Sequence, residues 1–400
     1  MIEVILEKQN PWWNDLSFKF NIFSRDVTHE LINNLENDKI IALVGSRQVG
    51  KTSLLYLLIE HLLKTVKSTR IFYFNLDDFE IKGLFSSAAT FLNYIQADKK
   101  IKYIFIDEVQ RLDNPGLFLK SIHDLNLNLK IIVSGSSQLE LKAKLKEFLV
   151  GRLRQLEIPR LTFSEIKQLS PNIPKKSILE NIMLYGSYPE IVKQNNFEEK
   201  KLLLNDIYKT YLQKDIADFA KIENIDAFNK LLILLASQIG SLLNIHHLSK
   251  TLRISSQKVT EYIDILEGTF IIKRLYPFFK NYKKEISKTP KIYFMDLGLR
   301  NLLLANWQAL ELRNDRGALF ENLAFLELYN QDIYKIKHYH FWRTTNQTEI
   351  DFVIEEGTIL KALEAKYSSL KNPKAFITFK EYYPQALTEL ITPDTIGELA

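Results

Sequence analysis

KIIALVGSRQVGKTSLLYLLIEHLLK, residues 39–64, decides how the front of this chain is read. Residues 40–44 (IIALV) are an unbroken apolar run, as in a strand buried on both faces. GSRQVGKT follows and matches G-x-x-x-x-G-K-[ST]. SLLYLLIEHLL then has the apolar density of a buried helix. The motif therefore lies between a strand and a helix, the setting in which its chemistry works. Gly45 and Gly50 let the backbone curl so that its N–H groups face phosphate. Ser46, Arg47, Gln48 and Val49 complete the cradle, and Ser53 follows on the helix, whose N-terminal dipole favours an anion. Lys51 reaches the β and γ phosphates of ATP, and Thr52 offers its hydroxyl to Mg2+.

Two further stretches agree. KKIKYIFIDEVQRL (99–112) is a short buried strand ending in Asp107 and Glu108. Asp107 is the second Mg2+ anchor, and Glu108 polarises the attacking water. LKIIVSGSSQLE (129–140) is another buried strand ending in small polar residues. Ser136 or Ser137 there senses the γ-phosphate or positions water, unless the serines merely cap a helix. RIFYFNLDD (70–78) adds a fourth strand. Four strands with helices between them imply a parallel α/β core. Arg152, in LVGRLRQLEIPRLTFSEI (149–166), is a candidate for stabilising transition-state charge, in its own chain or a neighbouring subunit. A surface pairing with a carboxylate is the other reading of it.

This combination resembles the AAA+-type P-loop ATPases of the archaeal and bacterial "ATP-binding protein" group. GSRQVGKTS, YIFIDEVQ, IIVSGSS and VGRLRQLEIPRLTFSEI carry the resemblance. Members of that group carry a C-terminal DUF4143 domain, so the resemblance implies a nuclease-like last domain. It also supports a winged-helix shape in the middle.

The 400 residues suffice for two or three domains of roughly 100–200 residues each. The chain lacks cysteine, which excludes disulfides, cysteine-ligated zinc and thiol catalysis. The net charge of +5 is compatible with nucleic acid. Every long apolar run is broken by a charge before it is long enough to span a bilayer, and the N-terminus lacks a signal-peptide layout. No membrane partner and a cytoplasmic location are expected.

The middle of the chain reads as a winged helix. Helices are expected over 228–237, 244–251 and 257–267, then a strand from Thr269 to Leu275. Ser256, Gln257, Lys258, Thr260 and Glu261 face outwards, with Val259, Ile263 and Leu266 inwards. One lysine among acidic neighbours is weak for phosphate contact, so double-stranded DNA and a protein scaffold both remain open as partners. Lys280, Lys283, Lys284 and Lys288 form a small basic cluster near the wing, and Asp296 reads as structural.

The last hundred residues hold the second candidate site. NDRGALFENLAFLELYNQ (314–331) reads as a helix bearing Glu321. TEIDFVIEE (348–356) alternates as a strand, Gly357 marks a hairpin, and the next strand carries Glu364 and Lys366 on one face. Glu321, Asp351 and Glu364-Ala-Lys366 follow the order of the PD-(D/E)xK nucleases. There the acids hold Mg2+ and the lysine orients water or offsets charge.

The expected fold class is α/β, in three parts. These are a P-loop AAA+-like parallel-sheet ATPase domain (20–165), a helical and winged-helix domain (166–280) and a PD-(D/E)xK nuclease-like α/β domain (281–400). The expected activity is ATP binding and hydrolysis coupled to a conformational switch acting on DNA, in a chain that is a candidate homo-oligomer. The alternatives are an ATP-gated, Mg2+-dependent DNA endonuclease and an ATP-regulated protein–protein scaffold.

Overall fold

The computed structural model describes residues 2–15, 17–96, 98, 100–136, 149–211, 222–279, 288–368 and 373–399. Ser137, Lys280, Lys283 and Lys284 lie outside the described residues. The chain folds as two compact units, Met1–Pro159 and Arg160–Ala400.

The first unit is built on five parallel strands, β1 (Ile40–Val44), β2 (Ile71–Asn75), β3 (Lys102–Asp107), β4 (Leu129–Gly135) and β5 (Leu153–Glu157), in the order β2-β3-β4-β1-β5. The sequence leads to the first four, because each is a run of apolar residues that a doubly covered strand requires. It does not lead to β5. LRQLE sits at the sheet edge, only its last two residues are buried, and so it carries no such run. Parallel pairing brings the C-terminal ends of β1 to β4 to one edge of the sheet. Asn75 pairs with Asp107, Ile106 with Val133, and Val44 with Gly135. The helix Lys51–Leu62 buries Leu54, Leu55, Leu58, Ile59 and Leu62, a helical stripe.

The second unit contains three helices, Ile225–Ser237, Ile245–Leu252 and Ser256–Gly268. Each begins at a side-chain cap. Asn224 accepts from the Ala227 N–H, Asn244 from His247 and Ser255 from Lys258. Each cap contributes about 1 kcal/mol. Leu231, Leu235, Leu248, Val259, Ile263 and Leu266 form their shared buried side.

A six-stranded sheet follows, formed by β6 (Ile272–Pro277), β7 (Lys291–Phe294), β8 (His338–Arg343), β9 (Glu349–Glu356), β10 (Ile359–Ala365) and β11 (Leu387–Ile391). Its order is β11-β10-β9-β8-β6-β7. The expected boundary between residues 280 and 281 falls inside this sheet. β6 and β7 pair antiparallel across it, Ile272 with Phe294, and β6 also pairs parallel with β8, Tyr276 with His340. The segments expected as separate middle and last domains therefore share hydrogen bonds in one unit. The helix Arg316–Gln331 is buried almost all round, rather than along one apolar side.

Candidate functional site

The phosphate loop connects β1 to the helix Lys51–Leu62. Two residues in it take left-handed backbone, Gln48 (φ 62) and Gly50 (φ 94). Gly45 is required for a different reason. A Cβ there would stand 2.6 Å from the Ile158 carbonyl oxygen, so the loop can pack against that strand end only without a side chain. Lys51 is buried and donates to the carbonyl oxygens of Gly45 (3.0 Å) and Ser46 (2.9 Å). Burial pushes its pKa down, against the raising effect of Glu108 and Asp107. The buried Ser46 Oγ has no hydrogen-bond partner among the described residues. A curled loop with a buried ammonium and an orphaned hydroxyl fits a bound phosphate.

The two acids lie on the same edge. Asp107 ends β3, and its carboxylate accepts from Thr52 Oγ1 (2.6 Å), Tyr73 OH (2.9 Å) and Ser134 Oγ. Burial and the Asp107 charge push the Tyr73 phenol up, so it stays a donor. Glu108 adopts left-handed backbone (φ 55), and its N–H donates to Ser134 Oγ (3.1 Å). Gln110 Nε2 donates to Glu108 Oε2 and to Ser136 Oγ (3.1 Å). One network thus joins Thr52, Asp107, Glu108 and Ser136. Thr52 and Asp107 present hard oxygen donors side by side, a set that suits Mg2+ accompanying phosphate.

Tyr73, Gln110 and Ser134 are absent from the sequence reading. Gln110 and Ser134 lie within the motifs already singled out, and their spacing from Asp107 and Ser136 is a usable signal. Tyr73 has none, since it reads as one more aromatic in a buried strand.

Arg152 is placed elsewhere. Its carbonyl accepts from the Ile40 N–H (2.9 Å), at the N-terminal end of β1. The phosphate loop leaves the other end of that strand, about 13 Å away at ~3.3 Å per residue. The Arg152 guanidinium instead pairs with Asp124 (2.7 Å). The expectation that it serves the phosphates of its own chain is not met, because β5 pairs in a register that puts Leu153 beside Ile40.

In the second unit, β9, β10 and the helix Arg316–Gln331 do gather the acids. Lys366 Nζ lies 2.6 Å from Glu364 and 3.6 Å from Asp351. Asp351 Oδ2 also accepts from the Ala365 N–H (2.9 Å). Glu321 sits close enough for the Asp351 charge to act on it. Burial, then Glu364, raises the Asp351 pKa to about 6. Burial likewise acts to lower Lys366, but the two neighbouring carboxylates more than offset it.

Glu321, Asp351 and Glu364, the residues expected to hold Mg2+, are packed against lysines. Among the described residues, no group of three or more His, Asp or Glu is placed to hold a metal. Lys291, which was not among the expected site residues, engages the first of these acids. Its Nζ lies 3.0 Å from Glu321 Oε1 and 2.6 Å from Glu349 Oε1, and Tyr293 OH donates to the same Glu321 oxygen (2.6 Å).

Three family models match. An AAA domain covers residues 37–167, a domain of unknown function (DUF8612) covers 176–311, and a second (DUF4143) covers 316–393. An uncharacterised protein of Methanocaldococcus jannaschii is 26% identical over 372 residues, which are 88% of this chain and 78% of that one. An uncharacterised protein of Haemophilus influenzae is 24% identical over 374 residues, 88% and 89% of the two chains. Among solved structures, the Aeropyrum pernix ORC1 protein in complex with DNA aligns at TM-score 0.35 and 12% identity, covering 71% of this chain and 93% of that one. AMPPCP-bound DnaA from Aquifex aeolicus aligns at 0.32 and 19%, covering 60% and 86%. The chain thus carries an AAA+-like P-loop ATPase domain linked to a poorly characterised C-terminal domain. Among the described residues, no helix is long and apolar enough to cross a membrane.

Proposed function

We propose that the chain is an ATP-hydrolysing switch whose second unit engages double-stranded DNA through its helix–turn–helix. The observation that carries the ATP part is the meeting of Lys51, Thr52 and Asp107 at one edge of a parallel sheet. Bound ATP with Mg2+ would supply the scissile phosphoanhydride and the metal that neutralises its charge. Lys51 is already desolvated, so exchanging loop carbonyls for phosphate oxygens costs little further dehydration. Thr52 and Asp107 would hold the metal, Glu108 would orient water, and Ser136 would sense the terminal phosphate. A metal held by Thr52 and Asp107 would replace the hydrogen bond between them, a local change that a switch can transmit.

The DNA part rests on the helix–turn–helix surface and differs from what the sequence suggests. Lys258 is paired with Glu261 (3.1 Å) and Glu223 (3.7 Å), so its charge is largely spent. Lys250 and Arg253 are exposed beside the turn, and neither has an ion-pair partner among the described residues. Exposed Gln257 and Thr260 supply the neighbouring polar contacts.

The test is one matrix. Wild type, Lys51→Ala and a Lys250→Ala/Arg253→Ala double variant are each assayed for ATP turnover and for binding to duplex DNA across a salt series. Turnover lost only in Lys51→Ala, with DNA affinity lost in the double variant, is expected. Turnover surviving in Lys51→Ala overturns the ATP assignment. Salt-independent or absent DNA binding by wild type overturns the DNA assignment in favour of a protein scaffold.

A further inference from the structure

Lys291 stands against Glu321, one of the three acids expected to hold a metal. It reaches from β7 into the acids of β9 and of the helix Arg316–Gln331, and it is almost fully buried. Glu321 Oε1 already accepts from both Lys291 and Tyr293. The backbone closes over the same oxygen, since a Cβ on Gly240 would stand 3.3 Å from it. That side of Glu321 has no room for a metal and its water shell.

Three cations of the chain itself offset most of the acid charge here. Glu321, Glu349, Asp351 and Glu364 face Lys291, Lys366 and Arg343, the last lying 3.7 Å from Glu349. Four carboxylates against three cations leave about one negative charge. Lys291 Nζ has carboxylate oxygens of Glu349 and Glu321 at 2.6 and 3.0 Å, a setting that favours the charged ammonium. A divalent cation binding Glu321 on this side would have to displace a hydrogen-bonded, buried ammonium.

The strand that carries Lys291 is tied to the helix–turn–helix. Leu242 forms a β-bridge with Lys291, and the N–H groups of Gly240 and Leu243 donate to the carbonyls of Ile292 and Pro290. Residues 240–243 are the link between the first two helices of that motif.

We infer that Lys291 is the resident cation of this acid cluster, taking the place of a divalent metal at Glu321, and that its ion pairs are an electrostatic lock fastening the helix–turn–helix link to β9 and to the helix Arg316–Gln331. Lys291 acts as a positioning residue.

Mn2+ binding to the nucleotide-free full chain tests it, followed by electron paramagnetic resonance and by thermal melting. The variants are wild type, Glu364→Gln and Lys291→Met, which keeps the length of the side chain and removes its charge. Wild type is expected to show no Mn2+ site that Glu364→Gln removes. Lys291→Met is expected to gain a saturable Mn2+ site and a Tm that rises with Mn2+, while wild type does neither. A wild-type Mn2+ site lost in Glu364→Gln overturns the inference. So does a folded Lys291→Met that gains no site. Should Lys291→Met not fold, the comparison of wild type with Glu364→Gln decides alone.

Discussion

Thr52 Oγ1 donates a 2.6 Å hydrogen bond to Asp107 Oδ2, joining the first turn of the phosphate-loop helix to the end of β3. The two residues are 55 positions apart, and the parallel sheet brings them together. Asp107→Asn should therefore reduce ATP turnover by on the order of 10²-fold, because a charge that acts at the metal is lost. Measurement of kcat across a Mg2+ titration checks it, with nucleotide affinity changing far less.

Tyr73→Phe removes one of three donors to Asp107 and leaves the ring packing intact. A hydrogen bond to a charged group contributes about 1.5–3 kcal/mol. A lower melting temperature for the first unit is expected, by several degrees. An unchanged melting curve would mean that the hydroxyl is not donating there.

Gln110 touches Glu108 and Ser136 and does not belong to the phosphate loop. Gln110→Ala should lower kcat by about tenfold or more with KM nearly unchanged, since it misplaces a general base without removing a binding contact. Steady-state kinetics separate the two parameters.

Lys250→Ala and Arg253→Ala should each reduce the slope of log DNA affinity against log salt by about one. Lys258→Ala should leave it nearly unchanged, because Glu261 and Glu223 already neutralise Lys258.

Asp351 gives the second unit a specific pH dependence. Its folded pKa of about 6 lies above its ordinary value of 3.8. Between those values the folded chain holds the proton more tightly than the unfolded chain, so stability from this group falls as pH rises and then levels off above about 6. By linkage the span is about 3 kcal/mol. Asp351→Asn should flatten the difference in Tm between pH 4 and 6 relative to wild type. A wild-type slope unchanged by that substitution would rule out Asp351 as its source.

How much was legible in the sequence depended on whether the signal was local. The strand, loop and helix of residues 39–64 form one continuous segment, and apolar runs with glycines at fixed spacing identify them. Asp107, Glu108 and Ser136 end similar runs, so their shared edge follows once the strands are parallel. The three helices between Ile225 and Gly268 were readable from their period for the same reason. LRQLE was not, because an edge strand needs no apolar run. Lys291 was not, because nothing near it in sequence marks it, and its partners lie 30 or more residues away on other elements.

The sequence by itself determined the phosphate loop, its lysine and threonine, and the acids and lysine of the second site, since these are residue types at set spacings. Only the tertiary structure decided what those acids face. Strand register carried Arg152 to the far edge of the sheet, and the pairing of β7 with β6 set Lys291 among carboxylates. Electrostatic neutralisation in a buried cluster depends on distance in space, which spacing along the chain does not fix.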